Sequence, residues 1–125
     1  MAGNAVRGLK RRKPSFWLAV SVLACGGTFF TWFWGAFSGG LDVRETCVLI
    51  KGQVYDGSYR TEHWREPSQL FPLHNKCNAS YDLVPFWINP MLVLLALLAV
   101  GCLIAAVVSA VARYRMSRGR LAATR

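Results

Sequence analysis

Two uninterrupted apolar runs, Phe16–Phe37 (22 residues) and Leu83–Ala112 (30 residues), constrain this chain more than any other feature. Neither run contains an acidic or basic side chain. A helix rises about 1.5 Å per residue and bilayer hydrocarbon is about 30 Å thick, so about 20 residues suffice to cross it. Both runs therefore read as transmembrane helices. The expected fold class is an all-α membrane protein, a two-span antiparallel transmembrane helical hairpin with a small, disulfide-stapled, partly β external loop. The expected order is a basic cytoplasmic head (1–15), a first span (16–38), an external loop (39–84), a second span (85–112) and a basic cytoplasmic tail (113–125).

Charge agrees with this order. The head carries Arg7, Lys10, Arg11, Arg12 and Lys13 with no acid, and the tail carries Arg113, Arg115, Arg118, Arg120 and Arg125 with no acid. The loop has five basic residues (Arg44, Lys51, Arg60, Arg65, Lys76) against six acids (Asp42, Glu45, Asp56, Glu62, Glu66, Asp82). A net charge of +9 is compatible with nucleic-acid binding, but both basic clusters abut the spans. The positive-inside rule accounts for them more economically. Both termini are thus expected in the cytoplasm of a plasma-membrane protein, with the lipid bilayer as a partner and no nucleic acid.

The start of the chain also has features of an export signal. A basic cluster precedes an apolar stretch, and Val22-Leu23-Ala24-Cys25-Gly26 resembles a lipoprotein cleavage site. Cleavage there would remove residues 1–24. The run stays apolar to Phe37, longer than the roughly 7–15 residues of a secretory apolar core, so a retained span is expected.

Helix association in lipid relies on close approach at small residues and on hydroxyl hydrogen bonds. On a helical wheel Ser21, Ala24, Thr28, Thr31 and Gly35 share one arc, opposite Phe16, Phe30, Phe33, Trp34 and Phe37. In the second span Gly101, Ala105, Ser109 and Ala112 form a similar row, with Leu92, Leu95, Val100 and Leu103 off it. These small residues are the expected helix–helix contact face. The midpoints of the spans predict a close crossing through glycines near Cys25–Gly27 and Gly101–Cys102. Asn89-Pro90 reads as a helix start, with Asn89 as the cap.

In the loop, Val48-Leu49-Ile50 and Val54-Tyr55 read as a strand. Asp56-Gly57 reads as the tight turn, and Tyr59 to Trp64 as the return strand of a β-hairpin. Gly52 would weaken the first strand or mark a bulge. Cys47 and Cys77, the cysteines outside the spans, are expected to form a disulfide. Tyr55, Tyr59, Trp64, Leu70 and Phe71 are candidate external contacts, since aromatic side chains favour interfaces. Asn78-Ala79-Ser80 matches a glycosylation acceptor at Asn78.

His63 and His74 match no metal-ligand spacing, so no metal is expected. No nucleophile elbow or phosphate-binding loop occurs, so neither enzyme activity nor a cofactor is expected. The functional reading is a small two-pass membrane protein acting as a non-catalytic accessory or assembly subunit, through helix–helix and loop contacts. Its partner would be another membrane protein or a second copy of itself. The alternative is a homo-oligomeric pore or transport element lined by Ser21, Thr28, Thr31 and Ser109. A third reading, a membrane redox protein, would use Cys25, Cys102 or the histidines.

Overall fold

The computed structural model describes residues 2–125. Helix α1 (Ala2–Arg11) precedes the long α2 (Pro14–Ala36). A short α3 (Val43–Glu45) passes directly into a π-helical turn (Thr46–Ile50). Then come α4 (Gly57–Glu62), a 3₁₀ turn (Glu66–Ser68), the strands β1 (Lys76–Asn78) and β2 (Tyr81–Asp82), and the long α5 (Ile88–Ala123). Both α2 and α5 are long and apolar enough to cross a membrane. Only 11% of the most apolar window of α2 and 28% of that of α5 is buried. A core helix of a water-soluble domain would instead be covered nearly all round.

The chain divides into two compact units, residues 27–94 and residues 1–26 with 95–125, and α2 and α5 each run through both. In the second of these units Ser21 Oγ donates to the Ala99 carbonyl at 2.9 Å. Among the described residues, those buried there are Ser21 and Ala24 on α2, and Ala99, Cys102, Ala105, Ala106 and Ser109 on α5. Four of the α5 residues (99, 102, 106 and 109) alternate steps of three and four, the spacing of knobs-into-holes packing, and Ala105 lies beside them. Of the expected row of Gly101, Ala105, Ser109 and Ala112, Ala105 and Ser109 are buried and Ala112 is half-buried. Gly101 is exposed, and a Cβ built there or at Gly26 would meet nothing within 4 Å. The close crossing through glycines is therefore not found. Alanine-sized side chains already allow approach, and the Ser21–Ala99 bond sets which face of α5 turns inward.

In the unit formed by residues 27–94, two small cores hold the loop. Leu73, Val84, Ile88 and Leu92 form the first, with Trp32 packed against it. Leu92 is buried rather than turned away from the contact face as expected. Gly35 makes room for this core: a Cβ there would stand 2.7 Å from Leu73 Cδ1 and 2.8 Å from Ile88 Cγ2. The second core is the Cys47–Cys77 disulfide with Leu83, flanked by Val43, Tyr55 and Tyr81.

The expected hairpin over residues 48–64 is absent. Asp42 caps α3 by accepting from the Arg44 and Glu45 amides. The helix then continues through Cys47, and Gly52, at φ +62°, ends it in the conformation that glycine adopts without strain. Asp56 caps α4 in place of making a turn, and Tyr59 and His63, one helical turn apart, stack with centroids 4.2 Å apart. The β structure lies further on. Strands β1 and β2 pair antiparallel with a register shift between Lys76 and Asn78.

Asn89 is not the cap of α5. The helix begins at Ile88, and Asn89 turns its amide onto Leu73, accepting from the amide at 2.8 Å and donating to the carbonyl at 3.0 Å. Pro90 is tolerated there because first-turn N–H groups have no helical acceptor.

Closing a loop of 30 residues stabilises by about 3–4 kcal/mol in the chain-entropy account. The double substitution Cys47→Ser/Cys77→Ser should therefore abolish hydrogen-exchange protection of the Gln53 and Asp56 amides, which bond to the Cys47 and Cys77 carbonyls. Protection equal to that of the wild type would contradict this role. At the helix junction, Gly35→Ala should lower the melting temperature in detergent. Overpacking costs about 1–3 kcal/mol, and better helix propensity offsets about 1 kcal/mol of it. Gly26→Ala, in open space, is the control and should be neutral or slightly stabilising.

Candidate functional site

The loop between the two long helices carries all six acidic residues and both histidines of the chain, and its geometry is set by three side chains. Asp82 Oδ1 accepts from the amides of Asn75 (3.0 Å) and Val84 (2.9 Å), while its Oδ2 lies 2.6 Å from His74 Nδ1. Asn78 Oδ1 accepts from the Ser80 and Tyr81 amides and the Ser80 hydroxyl, which builds the β1–β2 turn. Arg60 donates to Asn75 Oδ1 (3.0 Å) and to the Lys76 carbonyl (2.6 Å), tying α4 to β1.

These bonds decide what the polar residues are free to do. Asn78 Nδ2, the atom that glycosylation would modify, donates to the Val54 carbonyl at 2.8 Å. His63 Nδ1 lies 2.9 Å from the Tyr59 carbonyl, so both histidines have structural partners on the loop. Among the described residues no three His, Cys, Asp or Glu side chains cluster in a way that could hold a metal ion. The cavity lined by Tyr59, Arg60, His63, Glu66 and Lys76 has a volume of about 10 Å³. Small-molecule sites span roughly 300–1,000 Å³, so this cavity has room for a single water at most. The neighbouring Lys76–Glu66 pair is loose, at 3.9 Å.

Of the expected external contacts, Tyr55 and Tyr59 are half-buried. Tyr55 packs on the disulfide core, and the Tyr59 hydroxyl lies 3.4 Å from Glu66. Trp64, Leu70 and Phe71 are exposed. Three residues expected in the strand are strongly exposed: Leu49 is 73%, Ile50 71% and Val54 76% exposed. Cys47 is fully buried in the bridge, so the π-helical turn is anchored at one end while Val48, Leu49 and Ile50 face outward. A strand with alternating faces would have buried one side of this run. The available signal was Asp42 followed by Glu45, a capping pattern just before the apolar residues.

On the small-residue faces, Ser21, Ala24, Gly35, Ala105 and Ser109 are buried, Thr28, Thr31 and Ala112 are half-buried, and Gly101 is exposed. No family model, characterised protein or solved structure matches this chain.

The Ser58 hydroxyl and the Tyr59 amide, both donated to Asp56, hold its carboxyl below the ordinary value of 3.8. A depressed carboxylate contributes stability at every pH above its unfolded value and loses it as pH falls through the folded one. Protection of the α4 amides should therefore be unaffected by this group from neutral pH down to about 4 and should fall only in stronger acid. In Asp56→Ala that acid step should vanish, and α4 should exchange faster than in the wild type at every pH above it. Hydrogen exchange followed by mass spectrometry checks both.

Proposed function

We propose that this chain is a two-pass integral membrane protein with a non-catalytic role. It acts as an accessory or assembly subunit that offers an anchored apolar turn to a membrane-protein partner. In this reading α2 and α5 are the spans, both basic termini lie in the cytoplasm of a plasma-membrane protein, and the loop faces the oxidising side, as its disulfide suggests. The observation that carries the contact role is the outward-facing trio Leu49, Ile50 and Val54 on a segment held by a buried bridge. Exposed apolar residues on a fixed frame favour association, because little side-chain or backbone freedom is lost on docking.

The pore alternative is disfavoured by where the hydroxyls lie. Ser21 and Ser109 are buried within one chain, and Ser21 is committed to the Ala99 carbonyl. Of the four hydroxyls that reading would use, this leaves the half-buried Thr28 and Thr31.

Affinity purification in mild detergent should recover a stoichiometric membrane-protein partner, or a second copy, with the wild-type chain. Leu49→Ser/Ile50→Ser should lose it while keeping the same helical circular dichroism, since neither side chain supports a core. Recovery of a lone monomer from the wild type would refute the proposal.

A further inference from the structure

Residues 69–73, Gln-Leu-Phe-Pro-Leu, are uncharged, and Leu70 and Phe71 remain exposed. The segment lies along the helix ends. Leu73 is buried with Val84, Ile88 and Leu92 and reaches Gly35. The Leu70 carbonyl accepts a 2.9 Å hydrogen bond from Trp32 Nε1. Trp32 lies four residues, about 6 Å, inside the loop end of α2 at Ala36. Helical side chains lean toward the N-terminus, which for α2 is away from the loop. Leu92 lies equally far inside α5, which begins at Ile88. The segment therefore overlaps the last turn of α2 and the first turn of α5.

Side chains bond three of its peptide groups, all at Leu70 and Leu73. Trp32 takes the Leu70 carbonyl, and the Asn89 amide takes both the N–H and the carbonyl of Leu73. Pro72 has no N–H to satisfy. These bonds hold the two ends of the segment on the helices, while its middle peptide groups need the water of the membrane interface, since hydrocarbon offers none. Polar anchors bracket the segment, Glu66–Ser68 before it and the His74–Asp82 pair after it.

We propose that residues 69–73 form a strap at the membrane interface, at the loop end of α2 and α5, with the Leu70 and Phe71 side chains inserted among lipid acyl chains. This assigns lipid, rather than a protein partner, to that face of the loop. The neighbouring turns of α2 support the choice: Phe29, Phe33, Trp34 and Phe37 are exposed at that end of the helix, where a span meets acyl chains and the interface. The inference rests on the membrane reading above.

The test uses the full chain with Cys25→Ser and Cys102→Ala, the disulfide retained, in phosphatidylcholine–phosphatidylglycerol vesicles. Nitroxide labels are placed singly at Leu70→Cys and Phe71→Cys, with Phe33→Cys as the span reference and Thr61→Cys as the water reference. Labels at 70 and 71 should collide more with oxygen than with a water-soluble nickel complex, as at 33, and the order should reverse at 61. If 70 and 71 follow 61 while 33 remains in lipid, the strap is overturned and the membrane reading stands. If 33 itself sides with water, the membrane reading falls and the strap with it. Shielding of 70 and 71 from both reagents means protein cover and also overturns the proposal. Trp32→Phe keeps the ring but removes the N–H, and should raise nickel accessibility at 70 several-fold. No change there would overturn the role given to the indole in holding the strap.

Discussion

The Cys47–Cys77 bridge is the constraint on which the loop depends. It joins a π-helical turn to a two-stranded sheet of five residues, neither of which would persist alone in water. With the bridge in place, Leu83, Val43, Tyr55 and Tyr81 have a surface to pack on. The backbone then closes around the sulfurs: the Gln53 amide bonds the Cys47 carbonyl and the Asp56 amide bonds the Cys77 carbonyl. Only a loop held in this way can leave Leu49, Ile50 and Val54 facing outward without collapsing onto them.

A second group of interactions couples the loop to the helix ends. Asn89 on α5 clasps Leu73, Trp32 on α2 bonds Leu70, and Gly35 yields the space that Leu73 and Ile88 occupy. Each is a small device, but together they dock the returning chain on both helices. A leucine at position 73 fits only because position 35 carries no side chain. The polar side chains do comparable work on the loop, where Asp82 and Asn78 each accept from several neighbouring amides. They are spent on shape, which leaves the chemistry of the loop in its apolar surface rather than in a reactive group.

The two long helices and the bridge were legible in the residues. Twenty or more apolar residues in a row leave a chain few choices, and two cysteines outside such runs leave few partners. The basic clusters at both ends suggest one shared side for the termini by the same kind of local rule. The loop was misread where local signals compete. Asp-Gly serves a hairpin turn or a helix cap equally well, and Val-Leu-Ile suits a strand until a capped helix runs into it. At Asp56 the choice fell to the helix because Arg60 bonds β1, a partner 15 and 16 residues away that no local window contains.

The same division separates Gly101 from Cys102 on α5. Sequence spacing established that this helix has a small-residue side, because small side chains recur there every three or four positions. Which residues turn inward was decided by the Ser21 hydroxyl meeting the Ala99 carbonyl, a contact between residues 78 apart. What the sequence by itself determined was hydrophobic length, charge asymmetry and the presence of a staple, all properties of composition along the chain. Tertiary structure alone decided the rotation of the helices, the fate of Asp56 and Asn89, and the outward face of the π-helical turn, because each depends on a partner brought close only by folding.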